Sequence, residues 1–235
     1  HHEVARQARG DAAAKLWRPL MAYSKAARVN PKTGRRFGWE EEQREATAVE
    51  REIAQTTRDI ALLKRAARAQ EAREKLLTFT KFTMPDPEAI NDIDRSRYEA
   101  ACFHEMVAEV LEQVERGEIT QLIFCMPPRH GKTELATKRL AAWYSGRHPD
   151  HDIIIAAAGD DLAHDFGADI RAIMQSPTFK QVFPEHRLRR GGTAKDNIVT
   201  ERGGRLITAG KGGQINGRGA HLLLVDDLIK DASEA

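Results

Sequence analysis

The chain has 235 residues, of which 41% are hydrophobic and 31% charged, and 37 Lys and Arg against 35 Asp and Glu leave a formal net charge of +2. Its longest apolar runs, such as DIIIAAAG and HLLLVDD, fall far short of the roughly 20 residues that cross a bilayer, which excludes a membrane-spanning protein. Two cysteines, Cys102 and Cys125, are too few for a disulfide-stabilised secreted fold and indicate a reducing compartment.

Residues 1–75 are predicted to be a helical extension. Residues 4–28 are rich in Ala, Lys and Arg and favour a helix, with an interruption near Pro19 because proline removes a backbone hydrogen bond. Residues 1–39 hold nine Lys and Arg against two Asp and Glu. Such a basic bias suits either contact with nucleic acid or a solvated face.

A long, highly charged helix is predicted from Glu40 to Leu77. Its apolar and small residues recur at alternating spacings of three and four, which is typical of a coiled-coil seam. The seam positions are Ala46, Val49, Ile53, Thr56, Ile60, Leu63 and Ala67. The partner of this seam is either the helix at 4–28 or another chain, and the hairpin is either a structural extension or a docking arm.

Two prolines in FTMPDPEAINDIDRSR end the helical pattern and place a domain boundary here, so that residues 76–235 form the second domain. A helix is predicted over 98–116. Beyond it the chain alternates apolar strands with helices, which indicates an α/β fold with a parallel sheet covered by helices on both faces. The predicted strands are QLIFCM, DIIIAAA, NIVT, RLITA and HLLLV, and the predicted helices cover 133–146, closed by Gly146, and 161–175.

The stretch IFCMPPRHGKTELA carries most of the pattern of a phosphate-binding loop, or P-loop. The usual pattern is G-x-x-x-x-G-K-[ST], and Gly131, Lys132 and Thr133 fit it, while Met126 stands at the first glycine position. A buried strand before the loop and a helix after it would aim backbone N–H groups at a phosphate. Lys132 would then reach the β- and γ-phosphates, and the Thr133 hydroxyl would bind Mg²⁺.

A P-loop ATPase also needs an acidic residue at the end of another buried strand, close to the metal. HLLLVDD supplies two, Asp226 and Asp227. We expect Asp226 to bind Mg²⁺, and Asp227 to orient or deprotonate the attacking water.

Residues 76–235 resemble the ATPase domain of the large terminase subunit of tailed bacteriophages and prophages. The resemblance rests on the Pro-Pro-Arg-His-Gly-Lys loop and on the segments WYSGRHP, GRGAHLLLVDD and DDLIKDASEA. It implies a P-loop motor that hydrolyses ATP with Mg²⁺ to drive double-stranded DNA into a procapsid. The residues expected to bind ATP are Pro128, Arg129, His130, Gly131, Lys132, Thr133 and Glu134.

The resemblance leaves several residue roles open. Arg129 fits the arginine that the family carries inside this loop, although many relatives place it one position earlier; Arg218 and Arg171 are the alternative sources of a catalytic arginine. The family often has Asp-Glu where this chain has Asp226-Asp227. Tyr98 and His104 precede the loop and are candidates for adenine contact, with a helix-surface histidine the preferred interpretation of His104.

The family implies a portal protein, a small terminase subunit and a homo-oligomeric ring as partners, with the host cytoplasm as the location. It also implies an RNase H-like nuclease domain. That domain is not expected within these residues, so the chain is interpreted as a truncated form. Two other functions stay open. One is a helicase-like nucleic-acid translocase; the other is a nucleotide-binding assembly module that does not turn over in isolation.

Overall fold

The computed structural model of this chain describes residues 39–90, 92–194, 197–211 and 217–226. Contacts divide the chain into two compact units, residues 1–60 and residues 61–235. The helix predicted at 4–28 lies outside the described residues, and the domain boundary near residue 75 stays a prediction. Within the described ranges, every helix is too short or too polar to cross a membrane.

The long charged helix exists, and it is α1, Trp39–Glu74. The predicted helix ran on to Leu77, whereas the structure breaks it at Lys75 and begins a shorter helix, α2 (Leu76–Thr83), most of which the sequence pattern did not predict. The apolar members of the predicted seam are exposed, with Val49 at 53% and Leu63 at 71%. The coiled coil therefore stays a prediction, because no described residue covers the seam.

Helix α3 covers Cys102–Glu115, within the predicted 98–116, and Gly117 follows it with a φ of +75°. The strand predicted at QLIFCM is wrong, since residues 121–127 have no regular structure and Ile123 is 95% exposed. A strand needs a neighbour that satisfies its N–H and C=O groups, and no described strand pairs with this segment.

The helix after the Gly-Lys-Thr triplet begins as a π-helix, Thr133–Arg139, and continues as helix α4, Leu140–Arg147. The prediction that Gly146 closes this helix is wrong. A Cβ on Gly146 would lie 2.4 Å from the ring of Phe183, so the glycine permits close packing inside the helix. The buried Trp143 ties this helix to the end of α1, because its indole N–H donates to the Ala72 carbonyl at 3.0 Å.

Five strands form the sheet. They are β1 (Ile153–Ala157), β2 (Leu188–Ala194), β3 (Asn197–Thr200), β4 (Arg205–Gly210) and β5 (Leu222–Asp226). Their order is β2-β3-β4-β1-β5. Strand β1 is parallel to both β4 and β5, whereas β2, β3 and β4 pair antiparallel. The α/β prediction is confirmed, but the sheet is mixed, because β2 to β4 follow one another through short connections that reverse the chain.

Two further helices complete the α/β unit. Helix α5 (Asp160–Gln175) begins with two aspartates, which suit the positive end of a helix. Its apolar side packs on the sheet and is formed by Ala163, Phe166, Ile170, Ile173 and Met174. Helix α6 (Pro177–Val182) starts at Ser176, whose hydroxyl accepts a hydrogen bond from the Phe179 N–H.

Replacing Gly146 by alanine tests its packing role. Helix propensity alone predicts that Gly146→Ala stabilises the protein by about 1 kcal/mol, whereas overpacking against Phe183 predicts a loss of about 1–3 kcal/mol. We expect the loss in urea denaturation, with partial recovery in the double variant Gly146→Ala/Phe183→Leu. A gain in stability would show that the ring moves aside freely.

A buried histidine predicts a pH dependence of stability. His186 is 6% exposed and shares a hydrogen bond with the Ser145 hydroxyl at 3.1 Å. Burial, and secondly the charge of Arg187, lower the pKa of His186 from 6.5 to about 4. The unfolded chain therefore binds more protons between these values, so the stabilisation is complete above pH 6.5 and is lost as pH falls toward 4.

We expect the free energy of unfolding to fall by about 2 kcal/mol more in the wild type than in His186→Gln between pH 7.5 and pH 5. Urea denaturation at the two pH values measures this difference, because the variant keeps every other titrating group. Identical pH dependence in the two proteins would contradict the assignment.

Candidate functional site

The segment that joins residues 121–127 to the π-helix forms a tight loop. Gly131 has a φ of +78°, which glycine adopts without strain, and Arg129 has a φ of +63°. Among the described residues, Arg129 is the one non-glycine with a positive φ, a conformation that is sterically unfavourable for a side chain. Pro128, Arg129 and His130 are exposed, so the tip of this loop faces solvent.

Lys132 and Asp226 meet although 94 positions separate them. The Lys132 ammonium lies 2.8 Å from Asp226 Oδ1, and the Asp226 side chain is 4% exposed. Strand β5 places this carboxylate, since Asp226 is its last residue and pairs in register with Ala157 of β1. Thr133 is half-buried at the first position of the π-helix. Asp227, the predicted catalytic partner, lies outside the described residues.

Thr137 belongs to the same cluster, and the sequence interpretation missed it. Its hydroxyl donates to Asp226 Oδ2 at 2.9 Å, and the residue is 4% exposed. The available signal was a threonine among the apolar residues of the helix, between Leu135–Ala136 and Leu140. A polar side chain on a buried helix face needs a partner, and here that partner is Asp226.

Glu134 forms an ion pair on the other side of the π-helix. Its carboxylate accepts from Arg139 Nε at 2.6 Å, and Arg139 Nη1 also donates to Thr83 Oγ1 at 2.7 Å. Burial lowers the pKa of Arg139, against the opposing effect of Glu134. The pair therefore fixes the start of this helix to the end of α2.

His104 supports the loop from beneath. Its Nδ1 accepts from the Ala101 N–H at 2.9 Å and its Nε2 donates to the His130 carbonyl at 2.9 Å. The residue is 6% exposed, so the preferred interpretation as a helix-surface histidine is wrong. Its two hydrogen bonds connect the start of α3 to the loop.

The ring of Tyr98 packs against that of His104, and both side chains approach Gly131 of the loop. A Cβ on Gly131 would lie 3.3 Å from the Tyr98 hydroxyl. This buried hydroxyl has no hydrogen-bond partner among the described residues. Burial, and secondly the charge of Glu134, raise the pKa of Tyr98 to about 12, so the phenol stays protonated. An unpartnered donor is thus aimed at the loop.

The three candidate arginines lie in different places. Arg129 is exposed at the loop tip, Arg218 is exposed in the segment before β5, and Arg171 is half-buried on α5. Within the described part of the chain, no group of three or more His, Cys, Asp or Glu side chains is arranged to hold a metal.

One family model matches this chain. Its description is "Terminase large subunit, T4likevirus-type, N-terminal", and it covers residues 123–235, which include the loop, the π-helix and β5. Comparison with curated proteins and with solved structures gave no significant match. The match covers just under half of the chain and supports a large terminase subunit with a role in phage DNA packaging.

Proposed function

We propose that this chain contains the ATP-hydrolysing motor of a large terminase and drives double-stranded DNA into a procapsid. The observation that carries the proposal is the contact between Lys132 and Asp226, 2.8 Å apart where a helix begins after Gly131. A lysine, a helix N-terminus and a carboxylate at a strand end are the parts with which P-loop ATPases bind a nucleotide and its metal.

The loop supplies the phosphate site. Backbone N–H groups at the start of a helix have no intrahelical partner, and the helix dipole adds positive potential there. Lys132 adds a full charge and is held close by Asp226 until a phosphate competes for it. The residues from Pro128 to Glu134 form this site in the proposal, with Arg129 at its exposed tip.

Thr133 and Asp226 are the proposed ligands of Mg²⁺. Protein sites usually bind Mg²⁺ through one or two carboxylates, substrate phosphates and waters, so a single buried carboxylate beside the loop suits this ion. When bound, Mg²⁺ would neutralise phosphate charge as the terminal phosphoryl group is transferred to water. Asp227 follows Asp226 directly and is the proposed residue that orients the attacking water.

The proposed partners follow from the family. A packaging motor acts on double-stranded DNA at a portal protein, receives DNA with a small terminase subunit, and works as a homo-oligomeric ring in the host cytoplasm. A ring also offers an arginine from a neighbouring subunit, and the exposed Arg129 and Arg218 are the proposed candidates.

Lys132→Ala tests the proposed function. We expect loss of ATP hydrolysis and at least tenfold weaker nucleotide binding, because the lysine is the proposed phosphate ligand. Steady-state phosphate release and equilibrium binding of a fluorescent ATP analogue measure the two effects.

Lys138→Ala is the matched control. Lys138 lies in the same π-helix and pairs with the exposed Asp169 at 2.6 Å, so its loss removes an ion pair without touching Asp226. We expect its binding and turnover to match the wild type within about twofold, since surface ion pairs contribute little. Wild-type hydrolysis by Lys132→Ala would refute the assignment of the loop.

Tyr98→Phe tests whether the unpartnered hydroxyl serves the nucleotide site. Its removal deletes no hydrogen bond to any residue that the structure describes, so stability is expected to stay equal or to rise. A bound nucleotide is expected to give this donor an acceptor, and affinity should then fall about threefold to tenfold.

Tyr144→Phe provides the comparison for Tyr98→Phe, because the Tyr144 hydroxyl already has a partner, His151 Nδ1, at 3.0 Å. This variant should lose stability in thermal unfolding and keep wild-type affinity for the fluorescent analogue. Wild-type affinity in Tyr98→Phe together with weaker binding in Tyr144→Phe would overturn the role given to Tyr98.

A further inference from the structure

Asp226 has two partners among the described residues, and they lie five positions apart in the chain. Lys132 contacts Oδ1 at 2.8 Å, and the Thr137 hydroxyl donates to Oδ2 at 2.9 Å. The two oxygens of one buried carboxylate therefore bond different partners. One faces the loop, and the other is held by the helix that follows it.

The π-helix is what brings these two partners to the same side. In an α-helix with 3.6 residues per turn, side chains five positions apart are separated by about 140° around the axis. A π-helix forms hydrogen bonds between residues five apart, so such side chains lie nearly one above the other. The Leu140 N–H indeed bonds the Leu135 carbonyl, five residues earlier. With α-helical winding, Thr137 would turn away from the side on which Lys132 meets Asp226.

A second contact at the same spacing stabilises this winding. Glu134 and Arg139 are also five apart, and their ion pair spans 2.6 Å. Arg139 is 7% exposed and is anchored by Thr83 of α2, so the pair is not a mobile surface contact. Two pairs of residues five apart thus favour the π-helix over the α-helix in this segment: Lys132 and Thr137, which share Asp226, and Glu134 and Arg139, which bond each other.

We propose that Thr137 is a positioning residue of the nucleotide site: its hydroxyl holds Asp226 Oδ2 so that Oδ1 faces the loop and the metal. This inference rests on the proposed function, because it assigns Asp226 to Mg²⁺. The π-helix from Thr133 to Arg139 is then the device that places the hydroxyl there, and such segments are frequent at functional sites.

The two partners of Asp226 differ in charge, and this difference gives Thr137 its role. A phosphate in the loop competes for the Lys132 ammonium, whereas it exerts little attraction on a neutral hydroxyl. Asp226 would then keep Thr137 as its protein partner while its other oxygen is released from the lysine. A carboxylate held through one oxygen keeps its orientation, so the free oxygen stays directed to the loop.

A purely structural role for Thr137 makes a different prediction. Removing the hydrogen bond of any buried hydroxyl lowers the free energy of unfolding. This loss of stability would occur whether or not Asp226 binds a metal. Positioning, in contrast, predicts an effect on the metal requirement of nucleotide binding. Stability and metal requirement must therefore be measured in the same variants.

The test uses the full chain and the variants Thr137→Val, which keeps the shape without the hydroxyl, and Thr137→Ser, which restores the hydroxyl. Equilibrium binding of a fluorescent, slowly hydrolysed ATP analogue is titrated with Mg²⁺. We expect Thr137→Val to raise the Mg²⁺ concentration for half-maximal binding about tenfold, the effect of one hydrogen bond to a charged group. Affinity without Mg²⁺ should not change, and Thr137→Ser should return within about twofold of the wild type.

Thr80→Val is the matched control for lost stability. Thr80 is fully buried, and its hydroxyl donates to the Leu76 carbonyl within α2, so it bears no relation to Asp226. Thermal unfolding without ligand should show similar losses for Thr80→Val and Thr137→Val, while Thr80→Val keeps the wild-type Mg²⁺ requirement. If Thr137→Val fails to fold, Thr137→Ala is read by the same criteria.

The outcomes separate the two proposals. A Thr137→Val protein with wild-type Mg²⁺ requirement and reduced stability overturns the positioning role and leaves the proposed ATPase intact. A wild-type protein that binds no nucleotide at any Mg²⁺ concentration overturns both. A raised Mg²⁺ requirement that Thr137→Ser does not restore also overturns the positioning role, since the hydroxyl would then not be the cause.

Discussion

The carboxylate of Asp226 is the constraint on which the site depends. A charged group that is nearly excluded from solvent must find partners inside the protein, because its desolvation is otherwise uncompensated. Lys132 at 2.8 Å and Thr137 at 2.9 Å provide them. Strand β5, the loop before the π-helix and the π-helix itself meet at this one side chain, so the position of each depends on the other two.

The loop itself is held from the opposite side. His104 donates to the His130 carbonyl, and Tyr98 packs under Gly131, where no larger residue would fit without displacing it. Helix α3 and the residues just before it therefore support the loop. Sequence reasoning offered Tyr98 and His104 for adenine contact, and that role stays a prediction; in the ligand-free protein both rings are buried against the loop.

The π-helix links the loop to the interior through two kinds of contact. Thr137 binds the strand on one side, and Arg139 binds Glu134 and Thr83 on the other. A π-helix is uncommon and has poorer backbone geometry than an α-helix, so it persists where side-chain contacts favour it. In this chain those contacts are buried, which makes the winding of the segment a property of the tertiary structure and part of the proposed nucleotide site.

Several features followed from the sequence alone because they depend on local patterns. The alternation of apolar runs and helices predicted β1, β5 and α5, and the Gly-Lys-Thr triplet with HLLLVDD singled out Lys132 and Asp226 before any distance was known. Other features needed the tertiary structure, because they depend on neighbours distant in the chain. QLIFCM is apolar but has no strand beside it, Gly146 is explained by Phe183, and the sheet turns antiparallel beyond β4. Thr137 is the clearest case, since only a change of helical winding, caused by contacts with Asp226 and α2, brings its hydroxyl to the site.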